Sequence, residues 1–85
     1  MGYNVEFKKS AEKELAALPT DIIAKMRKAI LSLKVNPLPT GSKKLKGRKN
    51  DYRIRVGNYR VVYQIKNEVL IVYVIKIGHR KDIYK

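Results

Sequence analysis

Two hydrophobic periods divide the chain. From Tyr3 to Phe7 apolar and polar residues alternate, with Tyr3, Val5 and Phe7 set against Asn4 and Glu6, the signature of a short half-buried strand. The spacing then lengthens: Ala11, Leu15 and Leu18 recur at helical intervals until Pro19 stops the run. Ser10 is the expected N-cap of this helix, with Glu12 and Glu14 favouring its positive end. Thr20 is the expected cap of a second helix, whose apolar residues Ile22, Ile23, Met26, Ala29, Ile30 and Leu33 step by three and four. With only Pro19 and Thr20 between them, the two helices are expected to form an antiparallel hairpin. Asn36-Pro37-Leu38-Pro39-Thr40-Gly41 ends the second helix and reads as a linker.

From Asp51 the period returns to two. Tyr52, Ile54 and Val56 point one way, and Arg53 and Arg55 the other. Gly57-Asn58 is a two-residue hairpin signal, followed by Tyr59, Val61, Tyr63 and Ile65 on one face and Arg60, Val62 and Gln64 opposite. Asn67-Glu68 marks a second turn, and Val69 to Ile77 reads as a strand apolar on both faces, hence interior, before a polar tail from Gly78 to Lys85. The predicted architecture is a single α+β domain spanning residues 1–85 in the order β-α-α-β-β-β, an antiparallel sheet with the N-terminal helical hairpin packed on one face. The helices need the apolar face, so Arg53, Arg55 and Arg60 are expected together on the uncovered one.

Charge makes that face informative. The 85 residues include 20 Lys and Arg against 7 Asp and Glu, a net charge of +13. Residues 43–85 carry 13 basic and 3 acidic side chains, and five of the six arginines lie there. Clustered guanidinium groups point to a polyanion, since each planar fork donates two parallel hydrogen bonds to a phosphate. The absence of Cys and the presence of one His exclude disulfide frameworks, thiol catalysis and zinc sites, and no metal or organic cofactor is expected. The longest apolar run, Val69 to Ile75, falls far short of the roughly 20 residues that span a bilayer, and no apolar signal segment opens the chain. A cytoplasmic protein with no membrane partner is expected.

The sequence holds no catalytic serine triad, phosphate-binding glycine loop or plausible carboxylate pair. It offers Arg53, Arg55, Arg60, His79, Arg80 and Tyr84, preceded by the basic run Lys43-Lys44-Leu45-Lys46-Gly47-Arg48-Lys49. Metal-independent RNA cleavage suits such a set. The 2′-hydroxyl loses a proton and attacks the adjacent phosphate in line, negative charge builds on the non-bridging oxygens, and the 5′-oxygen leaves with a proton. Each well-placed donor on those oxygens is worth about 3–4 kcal/mol. Tyr84 can stack on a base or move a proton, and His79, as the one histidine, is the acid–base candidate by residue type. A non-catalytic basic RNA- or DNA-binding module is an alternative that the same residues allow.

The stretches Lys44-Leu45-Lys46-Gly47, Asp51-Tyr52-Arg53-Ile54-Arg55-Val56-Gly57-Asn58-Tyr59-Arg60-Val61-Val62-Tyr63 and Ile77-Gly78-His79-Arg80-Lys81-Asp82-Ile83-Tyr84 resemble the RelE/ParE superfamily of type II toxin–antitoxin toxins, and its RelE-like branch in particular. The resemblance covers the whole chain. It implies a metal-independent endoribonuclease that enters the ribosomal A site, cuts mRNA to leave a 2′,3′-cyclic phosphate and so inhibits translation. It implies an acidic RelB-like antitoxin as inhibitor and a free toxin that is monomeric. The resemblance assigns Arg53, Arg55, Arg60, Arg80 and Tyr84 to the catalytic set, and Lys43, Lys44, Lys46, Arg48, Lys49 and His79 are expected to contact RNA or ribosome. The best-known member carries lysine as general base where this chain has Arg53. Arginine does not readily give up its proton, so Arg53 contributes electrostatics or the base lies elsewhere, with His79 and Tyr84 as candidates. The ParE branch, whose members poison DNA gyrase, is the alternative within the same fold; it generally lacks the full set of basic sheet residues.

Overall fold

The computed structural model describes residues 2–47 and 49–79. Its elements are β1 (Asn4–Phe7), α1 (Lys9–Ala16), α2 (Thr20–Ser32), β2 (Lys43–Lys44), β3 (Asp51–Val56), β4 (Tyr59–Lys66) and β5 (Ile71–His79). The strands form one sheet in the order β1-β5-β4-β3-β2. The α+β class and the helical hairpin on one sheet face are as expected, with two refinements. The sheet is mixed, because β1 runs parallel to β5. It also gains a fifth strand, because Lys43 and Lys44 pair with Arg53 and Tyr52.

Both helix starts differ from expectation. The amide of Lys8 still bonds the Val74 carbonyl at 2.8 Å, while its carbonyl accepts from the Glu12 amide at 3.0 Å. Strand therefore passes into helix through one residue, and Lys8, with no side-chain cap, takes the position expected of Ser10. Pro19 likewise displaces Thr20: its carbonyl accepts from the Ile23 amide at 2.9 Å, and Thr20 becomes the first helical residue.

The core lies between the helices and one sheet face. Ala11 and Leu15 of α1 and Met26 and Ile30 of α2, with Leu33 just beyond it, meet Ile54, Val61, Tyr63, Ile65, Val72, Val74 and Ile77. Tyr63 is fully buried at the middle of this layer, and its hydroxyl donates to the Pro37 carbonyl at 2.7 Å, fastening the linker to the central strand. Burial pushes its hydroxyl up to about 12; a hydrogen bond with Ser42 opposes the rise and nearby Tyr52 adds to it.

Gly57 takes φ 60° at the first position of the β3–β4 turn, a left-handed φ that glycine adopts at no steric cost because it lacks a Cβ. The next turn is longer than the sequence pattern indicates. Val69 and Leu70 leave the strand and belong to it, with Leu70 at φ 53° and its carbonyl accepting from the Asn4 amide at 2.8 Å. Tyr3 Oη donates to Asn67 Oδ1 at 2.7 Å, so the start of the chain holds this turn from the side.

Candidate functional site

Pairing register sorts the basic residues onto faces. On β3 and β4, Arg55 lies directly opposite Arg60, and Arg53 opposite Val62. Residues that pair across a ladder share a face, so Arg53, Arg55 and Arg60 stand together on the side away from the core. Lys43 of β2 pairs with Arg53 and joins them. Arg55 is exposed, Arg53 half-buried, and Arg60 only 6% exposed, so Arg60 is the most firmly held of the three.

β5 completes this face through an irregularity. Val74 pairs with Tyr63, but the next partner of β4, Val62, pairs with Lys76, which leaves Ile75 as an extra residue. Strict alternation would send Lys76 and Gly78 toward the core with Val72 and Val74. The bulge reverses the phase: Ile77 enters the core, Lys76 joins the row of Arg53 and Val62, and Gly78 falls opposite Arg60. The open face therefore carries successive rows: Arg55, Arg60 and Gly78; then Lys43, Arg53, Val62 and Lys76; then Asp51, Gln64, Tyr73 and Glu6.

The same phase change separates His79 from the arginines. It pairs with Tyr59 on the core-side face, where its ring meets the Tyr59 ring edge-on at 5.5 Å. Lys44 pairs with Tyr52 and also points to the helix side, though exposed. Lys46 and Lys49 are exposed on the loop between β2 and β3, at the end of the sheet where β3 begins with Asp51. Arg48, Arg80 and Tyr84 lie outside the described residues. Lys76 is the residue that sequence reasoning missed. A lysine at a core-parity position in an otherwise apolar strand was the available signal of a phase shift.

This arrangement can hold an anion. Like charges directly opposite on a ladder destabilise it by about 0.2–1 kcal/mol, and a phosphate between Arg55 and Arg60 would reverse the sign of that interaction. Among the described residues no group of three or more His, Cys, Asp and Glu side chains could hold a metal ion, and no helix is long and apolar enough to cross a membrane.

A second surface feature lies on the far side of the sheet. A groove of about 910 Å³ runs between β1 and the helical hairpin, with Val5, Phe7, Leu15, Ile23, Ile30 and Leu31 along it and Glu12, Arg27 and Lys34 contributing charge.

Comparison with known proteins places this geometry. The family described as ParE toxin of type II toxin-antitoxin system, parDE, matches residues 5–84. Toxin RelE3 of Methanocaldococcus jannaschii is 37% identical over 84 residues, covering 94% of this chain and 93% of that protein. The mRNA interferase toxin RelE of Escherichia coli K12 is 30% identical over 83 residues, covering 95% of this chain and 86% of that protein. A chain in the crystal structure of the archaeal RelE–RelB complex from Pyrococcus horikoshii OT3 superposes with a TM-score of 0.84 at 28% identity, covering 96% of this chain and 99% of that one. Matched over nearly its whole length by family and by individual toxins alike, the chain belongs to the ParE toxin family of type II toxin–antitoxin systems, within the RelE/ParE superfamily.

Proposed function

We propose that the chain is a RelE-like toxin that cuts mRNA on the ribosome without a metal ion and is neutralised by an acidic RelB-like antitoxin. The observation that carries this reading is the pairing of Arg55 with Arg60, next to Arg53, on the sheet face away from the helices. In-line attack by a 2′-hydroxyl loads charge onto the non-bridging oxygens. Guanidinium groups already fixed beside that position stabilise it without reorganising. Arg60, nearly buried, serves as the fixed donor; Arg53 and Arg55 contribute further positive potential.

Arg80 and Tyr84 enter from the sequence resemblance, as leaving-group stabiliser and base-stacking platform. Lys43, Lys44, Lys46 and Lys49 would contact RNA or ribosome along the β2 edge, and Arg48 joins them from the sequence reading alone. His79 sits with Tyr59, so a part for it in proton transfer would require substrate reaching around the end of β5. With no proton acceptor supplied by Arg53, cleavage depends on the ribosome to orient the 2′-hydroxyl, and naked RNA is a poor substrate. Action on the ribosome fits a cytoplasmic protein.

The antitoxin reading rests on charge and on the groove. A partner for a chain of net charge +13 is acidic, and an amphipathic segment would lay its apolar side along Ile23, Ile30 and Leu31. The RelE–RelB complex among the structural relatives joins such a toxin to its antitoxin.

The ParE name of the matching family makes gyrase inhibition the second reading. One experiment decides between them: translating ribosomes are incubated with the purified chain, and mRNA ends are mapped. New ends with a 2′,3′-cyclic phosphate at the A-site codon are expected. Intact message together with stalled gyrase would replace the first reading by the second.

A further inference from the structure

The bulge in β5 gives the open face a cation that the remainder of the strand would have turned into the core. We propose that Lys76 is a substrate-positioning residue which, with Arg53 and Lys43 in the same row, forms a second phosphate subsite, one nucleotide along the RNA from the phosphate beside Arg55 and Arg60. The proposal rests on the ribonuclease reading and extends it to a residue outside the sequence-derived set.

Three observations carry it. The first is spacing. Arg60 and Val62 are two residues apart on β4, so the row of Lys76 lies about 6.6–6.8 Å from the row of Arg55 and Arg60. That step is comparable to the distance between successive phosphates of an extended single strand. The second is composition. Lys43, Arg53 and Lys76 are the charged members of their row, and the acids Asp51 and Glu6 belong to the next row, farther from Arg60. Val62, flanked by Arg53 and Lys76, is 5% exposed on a face that the helices do not cover. Such a residue gives long cations an apolar bed for their stems while their charged ends stay in water. The third is that the phase change is secured. The amide of Ile77, immediately after Lys76, donates to Glu14 Oε1 of α1 at 2.9 Å. Bulges re-aim side chains beside functional sites, and here the re-aimed residue is an exposed lysine.

The test uses programmed ribosomes and an mRNA in which one phosphodiester next to the scissile linkage, on either side in turn, is replaced by an uncharged methylphosphonate. With natural mRNA, Lys76→Gln is expected to raise KM by about three- to tenfold with kcat nearly unchanged, and Lys76→Arg to restore it. On one of the two neutral substrates the unmodified chain should show the same loss, and Lys76→Gln should add nothing to it. Equal losses from Lys76→Gln on natural and neutral mRNAs, or no loss at all, would overturn the subsite while leaving the ribonuclease reading intact. Failure of the unmodified chain to cut mRNA on ribosomes would overturn both.

Discussion

The Ile77 amide donates a hydrogen bond to Glu14 Oε1 at 2.9 Å, so a carboxylate on α1 fixes the backbone one residue past the β5 bulge. Hydrogen bonds to a charged group contribute about 1.5–3 kcal/mol. Glu14→Ala should therefore lower unfolding free energy by about that amount, whereas Glu14→Gln, which keeps an acceptor oxygen, should lose less than half of it. Urea denaturation monitored by circular dichroism measures both. Because the bulge sets the phase of Lys76 and Gly78, Glu14→Ala should also lower cleavage although Glu14 lies on the other side of the sheet.

Among the described arginines of the open face, Arg60 is the one whose removal should cost most. Arg60→Ala should lower mRNA cleavage by about two to three orders of magnitude, the loss of one fixed donor on the developing oxyanion. Arg60→Lys keeps the charge and loses the planar fork, so it should fall between the two. End-mapping assays give the rates, and a thermal melt checks that each variant is folded.

Tyr63 makes stability depend on alkaline pH. Its hydroxyl gives up its proton near 10.0 when unfolded and near 12 when buried. The raised value means that this contribution is complete below about pH 10 and is lost as pH rises from there through about 12, at most about 2–3 kcal/mol. Tyr63→Phe should flatten that part of the decline. At neutral pH it should cost about 1 kcal/mol through the lost bond to the Pro37 carbonyl. Urea midpoints between about pH 9 and 12 for both proteins provide the comparison.

Leu31 is 57% exposed and lines the groove beside β1. Leu31→Glu should weaken antitoxin binding by about tenfold or more, through lost apolar burial and repulsion of an acidic partner. Val35, 86% exposed and not among the groove-lining residues, is the control: Val35→Glu should leave binding unchanged. Titration calorimetry with the cognate antitoxin distinguishes them.

How far the sequence could be read depended on whether a feature was set by local alternation or by distant pairing. Tyr52, Ile54 and Val56 against Arg53 and Arg55 disclosed both the strand and its faces, and Gly57-Asn58 disclosed the turn. The helical hairpin followed from its apolar spacing. The strand at Lys43–Lys44 stayed hidden because two lysines carry no strand signal and owe their conformation to the β3 edge. Ser10 and Thr20 are good caps by type, but the β1 ladder and Pro19 had already taken those positions. The faces of Lys76 and His79 were illegible for a single reason, the extra residue at Ile75, which local periodicity does not encode.

The parallel alliance of the first strand with the last has a consequence for biosynthesis. Asn4 through Phe7 find their partners only at Ile71 through Val74, so the sheet cannot close until synthesis has passed Val74. Contacts of such long sequence separation form late and slowly. The nascent toxin would thus remain incomplete while still tethered to the machine it is proposed to attack, leaving an interval in which antitoxin can engage it before it is armed.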